Sequence, residues 1–431
     1  MLKIVKLSSR RGRRQLLRLE QRGDRVLDAR VLRKAGDIVE AVRLDGDHAL
    51  RRLVKRFDGV RVRRICALRL EPSTVPAADL PAGFAASLEQ AIVAVEDYHR
   101  PQVRAGHRSV REGVELIEQR RALGRVGIYV PGGRATYPST AIMTVIPARL
   151  AGVEEIVVVT PSRRLALHPA LGHTLAVLGV REVWGLGGAH AIAALAYGTE
   201  TIHRVDKIVG PGNQWVTAAK QQVSADVAID GLAGPSEVVI VAAGRVDAER
   251  IAADLLAQAE HDPLALAVLV TDRRALAEAV RAALVRRLPA LATAATARAS
   301  LKRQGCAFLV GDMAAALELV ERLAPEHLQL VGAAAEALAD QVLHAGAVFV
   351  GADSPEVFGD YIAGPSHVLP TGGRARFASA LGVEDFVRRS HLIRYSPQAA
   401  ARVATATTVL AQVEGLPAHA AAARLRLEAG A

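Results

Sequence analysis

The sequence predicts an α/β protein with parallel sheets, and three observations carry that expectation. From Val126 onward, short valine- and isoleucine-rich runs alternate with segments of helical periodicity. Such alternation is the pattern of strands joined by crossover helices, which sets the strands parallel. Residues 1–58 read instead largely as amphipathic helix. Finally, 51% of the 431 residues are apolar, enough for a sizeable core spread over two or three domains.

The elements follow in order. In 30–57, the apolar residues Val31, Leu32, Ile38, Val39, Val42 and Leu53 recur at helical spacing. Segment 80–104 reads the same way. Strands are predicted at 126–130, 156–160, 238–241, 266–271, 306–310, 328–331 and 347–350. Helices between them include 248–260, with Asp247 as N-cap, and 313–323, stopped by Pro325. The alanine-rich segment 396–431 is helical and reads as an appended tail.

Composition excludes several classes. No apolar run approaches the roughly 20 residues of a membrane helix. The arginine-rich start lacks the apolar middle of a signal peptide. Cys66 and Cys306 are the only cysteines, which argues against a disulfide scaffold or a cysteine zinc site and for a reducing, cytoplasmic setting. A net charge of +11 raises the question of nucleic acid, but aromatics are only 3%, too few for base stacking, and acids are interleaved with the arginines.

Histidine is scarce, 13 residues in all, yet four clusters in the later part of the chain pair it with an acid or amide. They are Gln258-Ala259-Glu260-His261, Glu326-His327, Asp360 with His367, and Glu414 with His419. Imidazole, carboxylate and amide oxygen suit a zinc site with an open position, and the first two are the usual proton acceptors near neutrality. Gln258 and His261 share a helix face; a solvated helix end has the same pattern. Glu326 and His327 sit at a helix-to-strand junction, where an acid and an imidazole can divide proton work or simply face water. Asp360 and His367 fall in a glycine- and proline-punctuated stretch, 359–373, that reads as a long loop. Four glycine turns, at 127–134, 185–190, 210–213 and 234–236, each lie at a strand or helix end. Together they suggest a ligand crevice, because glycine lets backbone amides approach an anion.

These stretches together resemble histidinol dehydrogenase over nearly the whole chain. The segments that carry the resemblance are GIYVPGGRATYPST (127–140), IPARLAGV (146–153), GPGNQWVTAAKQQVS (210–224), AGPSEV (233–238), QAEHD (258–262), APEHL (324–328), GDYIAGPSHVLPTGG (359–373) and EGLPAHA (414–420). The resemblance implies zinc- and NAD-dependent oxidation of L-histidinol through L-histidinal to L-histidine. It implies an intertwined homodimer with shared active sites, two incomplete Rossmann-like lobes, and short N- and C-terminal helical segments. The expected division is an N-terminal segment 1–25, a metal and catalytic lobe of 26–125 and 237–377, an NAD lobe of 126–236, and a helical tail 378–431. One Zn2+ per subunit would be held by Gln258, His261, Asp360 and, from the neighbouring subunit, His419. His327 would take the alcohol proton and Glu326 would help water add to the aldehyde. Ser236, His327 and Glu414 would contact substrate along with the metal ligands. Tyr129, His190 and Asn213 would bind NAD, although the family usually has glutamine where this chain has His190. Asp262 and His367 would stand near the metal, and neither cysteine would take part. Neither nucleic acid nor membrane is an implied partner.

Overall fold

The computed structural model describes residues 2–23, 27–73, 76, 79–132, 136–162 and 165–428. The expected boundary at 25 and 26 and the centre of the 127–140 segment lie outside them.

The chain opens with strand β1 (Lys3–Lys6) and helix α1 (Arg10–Glu20), whose Ser9 cap accepts from Gly12 N. Helix α2 (Ala29–Phe57) is capped by Asp28 and kinks at Gly46, where φ is 48°. After β2 (Arg69–Leu70) and α3 (Phe84–His99) come β3 (Arg108–Arg111) and β4 (Val114–Ala122). Glu112 and Gly113 turn that hairpin, both at positive φ, as a tight two-residue turn requires.

A first alternating series follows: β5 (Arg125–Tyr129), α4 (Pro138–Ala151), β6 (Glu155–Val159), α5 (Pro169–Val177), β7 (Glu182–Trp184), α6 (Gly188–Tyr197), β8 (Lys207–Val209), α7 (Gln214–Val223) and β9 (Ala228–Ile229). The second is β10 (Glu237–Ala242), α8 (Ala248–Ala259), β11 (Leu266–Thr271), α9 (Arg274–Arg287), α10 (Ala294–Arg303), β12 (Cys306–Leu309), α11 (Met313–Leu323), β13 (His327–Val331), α12 (Ala333–Glu336), β14 (Ala347–Val350) and α13 (Glu356–Tyr361). The chain ends in β15 (Val387–Tyr395), α14 (Pro397–Val413) and α15 (Pro417–Glu428).

Among the described residues these strands form three sheets. One large sheet, in the lobe expected to be catalytic and named for it below, runs β1-β12-β11-β10-β13-β14 and is parallel throughout. The other large sheet runs β2-β7-β6-β5-β8-β9 and is parallel except at its β2 edge. Helices cover both faces of each, so central strands such as Val238–Val241 are apolar on both sides and fully buried. The α/β architecture with parallel sheets is thus as expected.

Three expectations need correction. Residues 29–99 do not pack on the catalytic-lobe sheet: Val42, Leu50 and Val54 of α2 join the core of Ile192, Leu195 and Val216, and Val95 of α3 joins that of Ile128 and Ile146. The N-terminal segment is not wholly helical, since β1 forms the edge of the catalytic-lobe sheet against Cys306–Leu309. The tail is not purely helical either. Its strand β15 pairs antiparallel with β4 over Val114–Ala122, making a third, three-stranded sheet with β3.

Candidate active site

The candidate residues lie at the switch points of the two large sheets. In the catalytic lobe, chain order reverses between β10 and β13, and the site lies at their amino ends. Glu237 begins β10, and His327 begins β13 beside Val238. Ala324 makes the turn into that strand at φ 42°.

Glu326 and His327 are both buried, 5% and 4% exposed. The N–H of Glu237 donates to Glu326 Oε2 at 2.7 Å. His327 Nδ1 donates to the Glu237 carbonyl at 2.9 Å, which leaves Nε2 as the free lone pair. That nitrogen points toward Asp360 Oδ1, 4.0 Å away. Burial lowers the His327 pKa against the pull of Asp360, so the imidazole is a neutral base. Burial and the neighbouring Glu237 charge push the Glu326 carboxyl well above the usual carboxylate range. Its basicity rises accordingly.

Gln258 lies in the last turn of α8, whose cap is Asp247 as expected. His261 follows the helix. Its Nε2 stands 3.8 Å from Asp360 Oδ2, beyond hydrogen-bond reach. Two ligands of a tetrahedral zinc ion lie about 3.4 Å apart, so this spacing suits donors sharing an ion. Gln258 is 1% exposed and its buried amide nitrogen has no hydrogen-bond partner. Asp360 is in α13, not in the loop read from the sequence. His367 Nδ1 donates to its carbonyl at 2.9 Å. The donor types of these residues, an amide, an imidazole and a carboxylate, suit a metal ion that accepts further ligands.

The tail residues stand elsewhere. His419, on α15, and Glu414, after α14, are exposed. His419 lines a tail groove with Tyr395, Val403, Thr407 and Arg426. Among the described residues, no three histidine, cysteine or acidic side chains of one chain form a metal cluster.

The second switch point is at the carboxyl ends of β5 and β8, between which the chain order of that sheet reverses. Nucleotides bind outside such switch points in open α/β sheets. Tyr129 ends β5 and is 2% exposed; burial raises its pKa to about 12. Its hydroxyl accepts from the N–H of Gly188, which opens α6. Asn213 caps α7, accepting from the N–H groups of Trp215 and Val216. Gly210 must be glycine: its φ is 105°, and a Cβ there would lie 2.2 Å from the Tyr129 carbonyl. His190 is buried, its Nε2 2.8 Å from Asp58 Oδ2, and it stacks on Phe57. Ser236 is half-buried in the strand-ward turn that joins the two lobes.

Sequence reasoning missed several neighbours. Arg22 and Glu237 form a buried ion pair at 2.6 Å. Glu356 is 2% exposed with Oε2 unpartnered, its pKa raised well above normal by burial and then by Asp360. Asp58 holds His190. Only Glu237 lay in a segment singled out beforehand, AGPSEV. Cys306 is buried in β12, its thiol pushed up to about 12 by burial, and Cys66 is exposed.

Fold and site define an enzyme of the α/β class, with a nucleotide-type switch point in one parallel sheet and a buried acid-imidazole pair at the switch point of the other. Residues 21–427 match the family model described as histidinol dehydrogenase. The chain is 43% identical to the histidinol dehydrogenase of Pseudomonas syringae pv. syringae, over 96% of this chain and 92% of that one. It is 45% identical to that of Bacillus subtilis, over 89% and 90%. The crystal structure of histidinol dehydrogenase from Elizabethkingia anophelis superposes with a TM-score of 0.88 at 30% identity, covering 99% and 98%. The chain belongs to the histidinol dehydrogenase family.

Proposed function

We propose that this protein oxidises L-histidinol through L-histidinal to L-histidine, using two NAD in succession and one zinc ion per subunit, in the cytoplasm. The observation that carries the reading is the His327 imidazole, buried beside Glu326 with Nδ1 bonded and Nε2 facing Asp360, which in turn stands by His261. Gln258, His261 and Asp360, with His419 of the partner subunit, would hold zinc, which would supply a Lewis-acid anchor that orients the substrate. The Gly210–Asn213 cradle with Tyr129 and His190 would seat NAD, which supplies the hydride acceptor.

The residues of the chain do the rest. His327 Nε2 takes the hydroxyl proton, so that the carbinol C–H can leave as hydride. In the second half-reaction the Glu326 carboxylate takes a proton from water as it adds to the aldehyde carbon, and protonated His327 returns its proton to the carbonyl oxygen, which completes the hydrate and frees the imidazole. His327 then accepts a hydroxyl proton of the hydrate as the second hydride leaves. A hydrate needs no thiol adduct, which agrees with two cysteines placed away from the site. Ser236 and Glu414 complete the substrate contacts, and His419 makes each site of the homodimer depend on two chains. Replacing His327 with Asn tests the assignment. The expected result is a strong loss of turnover with near-normal zinc content; wild-type turnover removes His327 as the base.

A further inference from the structure

We propose that Arg22 is a positioning residue, which through Glu237 holds Glu326 and His327 in the relative placement their proton transfers need. The inference rests on reading that pair as the proton-moving groups. Glu237 is the only residue that bonds both of them among the described contacts: its N–H donates to Glu326 Oε2 at 2.7 Å and its carbonyl accepts from His327 Nδ1 at 2.9 Å. Any displacement of Glu237 therefore moves both groups.

The Glu237 side chain is gripped in turn. Arg22 Nε and Nη2 each donate to one of its carboxylate oxygens at 2.6 Å. The N–H of Gly372 donates to the same carboxylate at 2.9 Å. Arg22 Nη2 also donates to the carbonyl of Leu323 at 2.8 Å, at the end of α11 and three residues before Glu326. Arg22 Nη1 reaches back to Leu19 at 3.0 Å. One guanidinium thus ties together α1, the start of β10 and the approach to β13.

Both side chains are buried, 7% and 4% exposed. A buried ion pair is a poor way to gain stability, because desolvation offsets its Coulombic attraction and apolar groups of similar shape often replace it without loss. What a forked, bidentate pair supplies is fixed geometry. Here that geometry belongs to the residue on which both catalytic groups hang.

The test uses the full-length protein with Arg22→Met, Arg22→Lys and Glu237→Gln. Two readouts are taken: steady-state kinetics with L-histidinol and NAD, and the downfield Nδ1 proton of His327 in ligand-free enzyme, assigned by its loss in His327→Asn. For Arg22→Met, kcat should fall about 10- to 100-fold, the range for displacing reacting groups by up to about 1 Å. KM for NAD should stay within about twofold, since NAD contacts lie on the other lobe. The His327 proton should shift or broaden. Arg22→Lys keeps the charge without the fork and should recover part of both. Should Arg22→Met fail to fold, the isosteric Glu237→Gln carries the same expectation. A folded variant with wild-type kcat and an unmoved proton overturns the proposal. So does a loss that raises KM for NAD equally and that Arg22→Lys does not relieve. If the wild-type protein fails to reduce NAD with L-histidinol, the functional reading falls, and the His327 proton alone decides the role of Arg22.

Discussion

Removing Lys220 should loosen the cofactor-side loop more than any exposed change could. Lys220 on α7 is 2% exposed, and its Nζ donates to the Gly210 carbonyl at 2.7 Å and to Asp230 Oδ1 at 2.6 Å. Asp230 in turn accepts from Gly210 N and Gly231 N, both at 2.7 Å. The pair therefore clamps Gly210 by its carbonyl and its amide, against the end of β5. Lys220→Met removes two charge-assisted bonds and leaves Asp230 buried with two backbone donors only. Breaking a buried pair from one side costs about 3–5 kcal/mol, whereas removing both charges together is close to neutral. Lys220→Met should thus lower stability by that amount, and adding Asp230→Asn, which removes the stranded charge but turns an amide NH2 toward one of the two backbone N–H groups, should regain part of it. Denaturant unfolding of the two single variants and the double variant measures the coupling. Fluorescence titration should show NAD binding weakened in the single variant, because Asn213 follows directly from the clamped turn. A single variant that loses less than about 1 kcal/mol, or a double variant no better than the single, would refute the clamp.

Other outcomes follow from the same structure. Glu326→Gln should slow oxidation of L-histidinal more than that of L-histidinol, measured by single-turnover kinetics from each substrate. Mixed dimers of His419→Ala and His261→Ala subunits should regain activity in one of their two sites; none in a demonstrated mixed dimer argues against ligands from both chains. His99 is fully buried at the end of α3, and burial lowers its pKa from 6.5. The unfolded chain then binds the proton more readily, so this contribution is present above pH 6.5 and lost as pH falls through the lowered value. Replacing His99 with Leu should flatten the acid side of a stability-against-pH curve.

Much of the fold was legible because burial leaves a plain mark. Leu266–Thr271 and Ala347–Val350 match their predicted bounds to the residue, and Val238–Val241 reads as a strand because helices cover both of its faces. What escaped depends on partners distant in sequence. Lys3–Lys6 has too few apolar residues to announce a strand, and becomes one by pairing with Cys306–Leu309. Val114–Ala122 and Val387–Tyr395 carry many charges and are strands because they pair with each other. The packing side of α2 was misassigned because amphipathic spacing says that a helix is covered, not by which sheet.

The candidate site divides the same way. Residue types and spacing brought out Gln258, His261, Glu326, His327 and Asp360, and the fold brings Asp360 within 4.0 Å of His261 and His327, and Glu326 within 4.0 Å of His327. Arg22 was hidden in an arginine-rich stretch, and its partner Glu237 lies 215 residues away. Asp58, which holds His190, is 132 residues from it. The glycines and prolines after Tyr361 disguised the helical turn that carries Asp360.

The most direct test of the account is the stoichiometry of NADH formed per L-histidinol consumed by the purified, zinc-loaded dimer. The account predicts two NADH and one L-histidine for each substrate molecule, with no free aldehyde accumulating. No NADH, or one NADH with L-histidinal as the end product, would contradict it.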